Sequence, residues 1–250
     1  MVRIYTPEGD EQFPVLVYFH GGGWVIANLD TYDASCRALA LAAKCIVVSV
    51  AYRQAPEHKF PAAVDDALAS YQWVLANAAS FQGDPNRVAV GGESAGGNLA
   101  AVTSILARDR GVKPPVFQLL VYPVTDFSKE DYKSYEEFKD AKPLNTPMLK
   151  WFGGHYLKSD ADKTNPQVSP LLTTNLKDLP PAWVVTAEID PLRDQGEAYK
   201  DLLAEAGVKV DGKRYEGVTH EFFGAGAAVD TAKKALADAA QALHKAFEKA

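Results

Sequence analysis

The feature that most constrains the fold is a repeated alternation of short apolar runs with longer segments of helical periodicity. The apolar runs are rich in β-branched residues and are predicted to be strands at residues 15–20, 45–50, 88–91, 117–122, 183–187 and 208–215. Between them, helices are predicted at residues 31–43, 61–77, 94–108, 194–205 and 231–248. This alternation is typical of parallel strands joined by crossover helices, and strands that are apolar throughout indicate helices on both faces of a sheet. The sequence therefore predicts an α/β fold with a mostly parallel central sheet.

The domain organisation is predicted to be one unit over residues 1–250. With 47% hydrophobic and 23% charged residues, the chain can bury a large core, and no Ser/Gly/Pro-rich linker divides it. Residues 127–166 break the alternation, because they are polar, aromatic and contain only short helical patterns. Ligands of open α/β sheets bind at the carboxyl ends of the strands, so this insertion is interpreted as a cap over the site. The alternative is an excursion on the surface.

The charge balance and hydropathy exclude several classes of partner. The formal net charge is −6, whereas a nucleic-acid partner requires clustered Lys and Arg, so none is predicted. No apolar run reaches the ~18 residues that span a bilayer, and the first residues lack the apolar block of a signal peptide. A cytoplasmic protein is therefore expected. Cys36 and Cys45 are the only cysteines, too few for a disulfide framework, and no Cys/His spacing suggests a metal site.

The motif G-E-S-A-G at residues 92–96 places Ser94 between a predicted strand and a predicted helix. This strand–turn–helix context is the one required of a nucleophile elbow. The small residues Gly92 and Gly96 would let the backbone turn sharply enough to present the serine oxygen above the sheet. Serine is also a favoured helix N-cap, so the letters alone fit a purely structural role as well.

A second motif, H-G-G-G-W at residues 20–24, directly follows another predicted strand. Acyl transfer develops negative charge on the former carbonyl oxygen, and a glycine run can turn its backbone N–H groups towards that oxygen. The alternative is a phosphate-binding loop, but no Lys or Ser/Thr follows at the spacing of a P-loop. The motif therefore favours an oxyanion hole.

A serine nucleophile needs a base, and five histidines are available. His20 belongs to the glycine loop, His58 lies in A-P-E-H-K-F-P, His155 in the insertion and His244 on the C-terminal helix. His220, in V-T-H-E-F-F, follows the last predicted strand and comes late in the chain, as the order Ser, Asp/Glu, His requires. His220 is the predicted base.

The acid that orients this base should follow the preceding strand, where the sequence reads E-I-D-P-L-R-D-Q-G. Asp190 and Asp194 compete for this role, and Glu188 is a weaker third candidate. Asp194 lies near a helix start, where a carboxylate already interacts favourably with the helix dipole. Asp190 lies in the loop directly beyond the strand and is therefore preferred.

These motifs together resemble the hormone-sensitive lipase-like family of α/β-hydrolase esterases, the bacterial H-G-G-G group also called family IV. The similarity runs from about residue 13 to the C-terminus. It also includes the segments A-Y-R-Q-A-P-E-H-K-F-P-A-A-V-D-D-A, Y-P-V-T-D, S-P-L-L, D-P-L-R-D and H-E-F-F. The resemblance implies an α/β-hydrolase fold and a carboxylesterase that needs no cofactor.

The family pattern also implies roles for individual residues. It assigns Ser94 as the nucleophile, His220 as the general base and acid, and Asp190 as the group that orients it. The oxyanion donors implied by the resemblance are the backbone N–H groups of Gly22, Gly23 and Ala95.

The sequence departs from the family pattern in three places. Ala51 stands where members often carry an acid, and Glu221 follows His220 where glycine is common. Family members also usually carry a longer N-terminal segment with helices that form half of the cap, and these helices are expected to be absent. A wide pocket that favours short esters is expected in consequence. The aromatic residues proposed for this pocket, which would be partly uncovered unless the chain oligomerises, are Trp24, Phe127, Trp151 and Phe152.

Other functions on the same residues stay open at the level of sequence. Hydrolysis of an amide, a formamide or an activated ester would use the same Ser94 and His220. A small-molecule receptor on this fold would bind without turnover, but receptors of this kind need a lid and often lose the histidine. A truncated or engineered chain that folds poorly is a further alternative. A small-molecule ester is the predicted ligand.

Overall fold

The computed structural model describes residues 1–250 and is built on one seven-stranded sheet. The strands are β1 (Val2–Tyr5), β2 (Phe13–Phe19), β3 (Ile46–Val50), β4 (Gly83–Glu93), β5 (Gln118–Val121), β6 (Ala182–Ile189) and β7 (Val210–Thr219). Their order across the sheet is β1-β3-β2-β4-β5-β6-β7. Strand β1 is antiparallel to β3, and all other neighbouring pairs are parallel. The predicted α/β fold with a mostly parallel sheet is confirmed.

All six predicted strands are present, and they differ from the prediction mainly at their ends. Strand β4 begins at Gly83 rather than at Val88, because the G-D-P-N-R segment continues the strand although its residues are typical of turns. The seventh strand, β1, was not predicted. It has only four residues, and Arg3 interrupts their apolar character. Its pairing with Ile46–Val50 depends on a contact that is distant in sequence.

The five long helices lie close to their predicted positions. They are α1 (Asp33–Ala43), α2 (Ala62–Asn77), α3 (Ala95–Asp109), α6 (Arg193–Glu205) and α7 (Asp230–Phe247). The first begins at Asp33, so Tyr32 lies in the loop that precedes it rather than in the helix. None of the helices is both long enough and apolar enough to cross a membrane.

Two apolar layers cover the sheet because successive strand residues point to opposite faces. In β2, Val15, Val17 and Phe19 pack in a core with α2, α3 and α6. Leu16 and Tyr18 point to the other face, where α1 and α7 pack. Both faces of the central strands are therefore buried, as their uninterrupted apolar sequences predict.

The segment 127–166 contains two further helices, α4 (Lys133–Glu137) and α5 (Thr146–Tyr156), and a short 3₁₀ turn at Asp160–Thr164. Asn145 caps α5 by accepting a hydrogen bond from the Met148 backbone N–H at 3.0 Å. The Tyr156 ring stacks on Trp24 of the glycine loop, with ring centroids 4.2 Å apart. Helix α5 is therefore attached to the loop that follows β2.

Candidate active site

The turn at Ser94 connects the end of β4 to the start of α3. Ser94 has φ 57° and ψ −117°, a strained backbone conformation for a residue with a side chain. A Cβ atom on Gly96 would lie 1.9 Å from the backbone oxygen of Phe19, so only glycine allows this close approach of helix to strand. Ser94 occupies the N-cap position of α3, but its side chain makes no capping hydrogen bond. The serine hydroxyl is thus left available for another partner.

That partner is His220, which directly follows β7. The His220 Nε2 atom lies 3.0 Å from Ser94 Oγ, and its Nδ1 atom lies 2.7 Å from Asp190 Oδ2. The other Asp190 oxygen accepts a hydrogen bond from the Leu192 backbone N–H at 2.8 Å. All three side chains are buried. The arrangement could move a proton from the serine hydroxyl to an imidazole that is oriented by a carboxylate.

The two competing carboxylates have other partners. Asp194 accepts a hydrogen bond from the Ser134 backbone N–H at 2.9 Å and forms an ion pair with Arg193. Glu188 accepts a hydrogen bond from the Gly217 backbone N–H at 2.7 Å. Of the three candidates, only Asp190 contacts His220.

The electrostatic surroundings of His220 favour its protonated form. Burial lowers the pKa of His220, but the negative charge of Asp190 and the hydrogen bond to it act in the opposite direction. The carboxylates of Glu221 and Glu93 contribute to the same increase. The net result is a His220 pKa above the ordinary value of 6.5.

The glycine loop lies beside this hydrogen-bonded chain. Gly22 and Gly23 have φ values of 96° and 59°, and their backbone N–H groups donate to no acceptor in the protein. Ala95 is the first residue of α3, where the backbone N–H has no partner within the helix. Both glycines line the same cavity as Ser94. These N–H groups could therefore stabilise an anionic oxygen next to the serine.

A cavity of ≈ 250 Å³ opens at Ser94, and apolar side chains form most of its wall. The wide pocket expected from the sequence is therefore not found. Trp24, Phe127 and Phe152 line it, as proposed from the sequence, but Trp151 does not. Trp151 is half exposed and packs edge-on against Phe152 and His155 outside the cavity. The expectation of partly uncovered rings is wrong for Trp24 and Phe152, which the contacts between α5 and the glycine loop bury.

Several residues of this cavity were not predicted from the sequence. The lining also includes Tyr32, Val124, Leu144, Met148 and Glu221. Val124 lies within the Y-P-V-T-D motif, and Glu221 was recognised only as a departure from the family pattern. No sequence signal marks Tyr32, because it reaches the cavity from the loop before α1.

Glu93, the second residue of G-E-S-A-G, is fully buried beneath the site. It accepts a hydrogen bond from the Tyr18 hydroxyl at 2.7 Å and another from the Tyr122 hydroxyl. Burial raises the pKa of Glu93 to about 7, an effect that these hydrogen bonds only partly offset. The Tyr122 ring also packs against His220, with ring centroids 4.4 Å apart. Glu93 and Tyr122 therefore support the floor of the site.

Comparison with known proteins identifies the family of this chain. A family model described as the alpha/beta hydrolase fold matches residues 16–224. The carboxylic ester hydrolase LipN of Mycobacterium tuberculosis is 46% identical over 88% of the chain, which spans 60% of the length of LipN. The carboxylesterase NlhH of the same organism is 43% identical over 98% of the chain, which spans 78% of NlhH.

The solved structures agree with this assignment. The esterase of Pyrobaculum calidifontis superposes with a TM-score of 0.95 at 42% sequence identity. This superposition covers 98% of the chain and 80% of the Pyrobaculum protein. The match therefore includes the strands β2, β4, β6 and β7, whose ends carry the motifs described above. The chain belongs to the hormone-sensitive lipase-like carboxylesterase family of the α/β hydrolases.

Proposed function

We propose that the protein hydrolyses short-chain carboxylic esters through an acyl-enzyme formed on Ser94. The observation that carries this proposal is the continuous hydrogen-bonded chain from Ser94 through His220 to Asp190, in a member of an esterase family. This chain lies on a cavity that is mostly apolar and large enough for a small ester.

In the first half of the reaction, Ser94 Oγ attacks the ester carbonyl carbon while His220 Nε2 takes the hydroxyl proton. Negative charge then collects on the former carbonyl oxygen, which the backbone N–H groups of Gly22, Gly23 and Ala95 stabilise. His220 next gives its proton to the alcohol oxygen, the bond from the carbonyl carbon to that oxygen breaks, and the alcohol leaves.

In the second half, water attacks the acyl-enzyme and His220 again acts as the base. The carboxylic acid is released and Ser94 recovers its proton. Asp190 holds the imidazole in the tautomer with the proton on Nδ1 and stabilises the imidazolium that forms in each half.

The preference for short chains is supported by the size of the cavity. Pockets that hold drug-sized ligands usually measure about 300–1,000 Å³, and the cavity at Ser94 is smaller, at ≈ 250 Å³. We propose that residues 127–166 act as the cap that sets this limit, because Phe127, Leu149 and Phe152 form part of the cavity wall.

Steady-state rates on p-nitrophenyl esters from acetate to palmitate test the proposal. We expect kcat/KM to be highest for the short esters and to fall steeply towards palmitate. Ser94→Ala, with an unchanged thermal midpoint, should lose nearly all activity. A maximum at palmitate would contradict the chain-length preference, and full activity in Ser94→Ala would contradict the mechanism. A matched p-nitroanilide series distinguishes the ester from the amide function.

A further inference from the structure

One charged side chain faces the cavity at Ser94. Glu221 is the only Asp, Glu, Lys or Arg among the residues that line it. It directly follows His220 and has a φ of 66°, a left-handed conformation that favours glycine. A carboxylate is therefore present at a backbone position that a smaller residue would occupy with less strain.

Tyr32 holds this carboxylate in place. The buried Tyr32 hydroxyl lies 2.9 Å from one oxygen of Glu221 and 2.8 Å from the other. One of these oxygens, Oε1, lies 3.6 Å from His220 Nε2. The negative charge of Glu221 is thus fixed beside the atom that exchanges a proton with the serine.

No Lys or Arg neutralises Glu221, because its single ion-pair contact within the protein is the one to His220. The other carboxylates near His220 are Asp190, which is hydrogen-bonded to Nδ1, and the buried Glu93. A substrate in the cavity therefore meets net negative charge.

The position of Glu221 also indicates which part of the substrate it meets. In the proposed reaction, His220 Nε2 delivers its proton to the oxygen of the departing alcohol. A group that lies 3.6 Å from Nε2 is therefore next to the alcohol portion of the ester rather than its acyl portion.

We propose that Glu221, held by Tyr32, is a specificity-determining residue that favours esters of cationic alcohols and disfavours esters of anionic alcohols. This inference rests on the proposed ester hydrolysis at Ser94. The physical basis is the direct attraction or repulsion between unit charges a few ångströms apart in a partly buried site.

Three thioesters with similar shapes but different charges test this inference. They are the cationic acetylthiocholine, its neutral isostere 3,3-dimethylbutyl thioacetate, and the anionic S-acetyl derivative of 3-mercaptopropionate. Hydrolysis of each is measured by the reaction of the released thiol with a thiol reagent. At low ionic strength we expect kcat/KM for the cationic ester to exceed that for its neutral isostere by about tenfold, and the anionic ester to be disfavoured to a similar degree. Added salt should reduce both ratios, because the cavity is open to solvent.

Glu221→Gln should bring both ratios close to one. Each ratio compares two substrates on the same enzyme, so any change in the protonation of His220 cancels. Glu221→Gly is the second variant, because glycine accepts the positive φ and removes the charge without backbone strain. Tyr32→Phe should reduce the ratios in part, since the carboxylate stays but is no longer fixed.

Glu188→Gln is the matched control, because it removes a carboxylate that is bonded to Gly217 and lies outside the cavity. We expect it to leave both ratios unchanged. Ratios in Glu221→Gln and Glu221→Gly equal to those of the unmodified protein, with the neutral thioester still hydrolysed, would overturn the inference alone. Failure of the unmodified protein to hydrolyse both p-nitrophenyl acetate and the three thioesters would overturn the proposed function and this inference with it. Hydrolysis of p-nitrophenyl acetate without any hydrolysis of the cationic thioester would overturn this inference alone.

Discussion

The Nε2 atom of His220 lies 3.0 Å from the Oγ atom of Ser94, although 126 positions separate the two residues in the sequence. Ser94 follows β4 and His220 follows β7, and two further strands, β5 and β6, lie between them in the sheet. Strands that run parallel bring their carboxyl ends to one edge, where the loops that follow them can meet. The distance is therefore a property of the whole sheet rather than of either local motif.

The pH dependence of activity should report the protonation of His220. Because the proposed mechanism uses the neutral imidazole as the base, activity should be lost as pH falls through the pKa of His220. Its environment raises that pKa, so the acid limb of kcat/KM should have its midpoint above 6.5. A pH profile on a short neutral ester measures this midpoint, and a rate that stays flat from about pH 5 to 8 would contradict the role of His220.

Replacement of the orienting carboxylate should reduce the rate far more than it reduces stability. Asp190→Asn removes the charge that we propose fixes the His220 tautomer, and the equivalent change in a serine protease lowers kcat by about 10⁴-fold. We expect a loss of roughly 10³–10⁴-fold here. Asp194→Asn is the matched control, because Asp194 pairs with Arg193 and Ser134 instead. Similar losses in both variants would contradict the assignment of Asp190.

Much of this site could be predicted from the sequence because its chemistry depends on local signals. Glycine positions and strand–turn–helix boundaries are visible in the letters themselves, so Ser94, Gly22 and Gly23 stand out. The choice between Asp190 and Asp194 needed only their positions relative to a strand end and a helix start.

The missed features depend on contacts that are distant in sequence. Strand β1 forms only because β3 offers it an edge, and Tyr32 reaches the cavity through the packing of its loop against Glu221. The position of Trp151 was predicted wrongly because an aromatic pair such as Trp151 and Phe152 does not reveal which ring points inward. Such orientation is set by the packing of α5 rather than by residue type.

Stability should depend on pH through the buried Glu93. The pKa of Glu93 is about 7 in the folded protein and 4.5 in the unfolded chain. Between these two pH values the carboxyl group is therefore protonated in the folded protein and ionised in the unfolded chain. The free energy of unfolding should therefore fall as pH rises from about 4.5 to 7, by up to about 3 kcal/mol from this group.

Glu93→Gln should weaken the fall in unfolding free energy with rising pH, because the amide side chain does not ionise in this pH range. Denaturant unfolding at pH 5 and pH 8 measures the change. Glu136→Gln is the control, since the Glu136 side chain is largely exposed. An identical decline in Glu93→Gln and in the unmodified protein would contradict this account.

The two tryptophans proposed for the pocket should differ strongly in their contribution to stability. Trp24 is buried and stacks on Tyr156, so Trp24→Ala should cost about 3–5 kcal/mol of unfolding free energy. Trp151 is half exposed, and Trp151→Ala should cost much less. Chemical denaturation of both variants tests the prediction, and equal costs would contradict the packing between α5 and the glycine loop.

The nucleophile itself can be tested most directly by covalent labelling with a fluorophosphonate, followed by mass spectrometry of the digested protein. The mechanism predicts one adduct per chain, located on Ser94 and absent in a folded His220→Ala variant, because the serine then has no base. An adduct on another residue, or labelling of Ser94 that is equally fast without His220, would contradict the proposed role of the Ser94–His220–Asp190 chain.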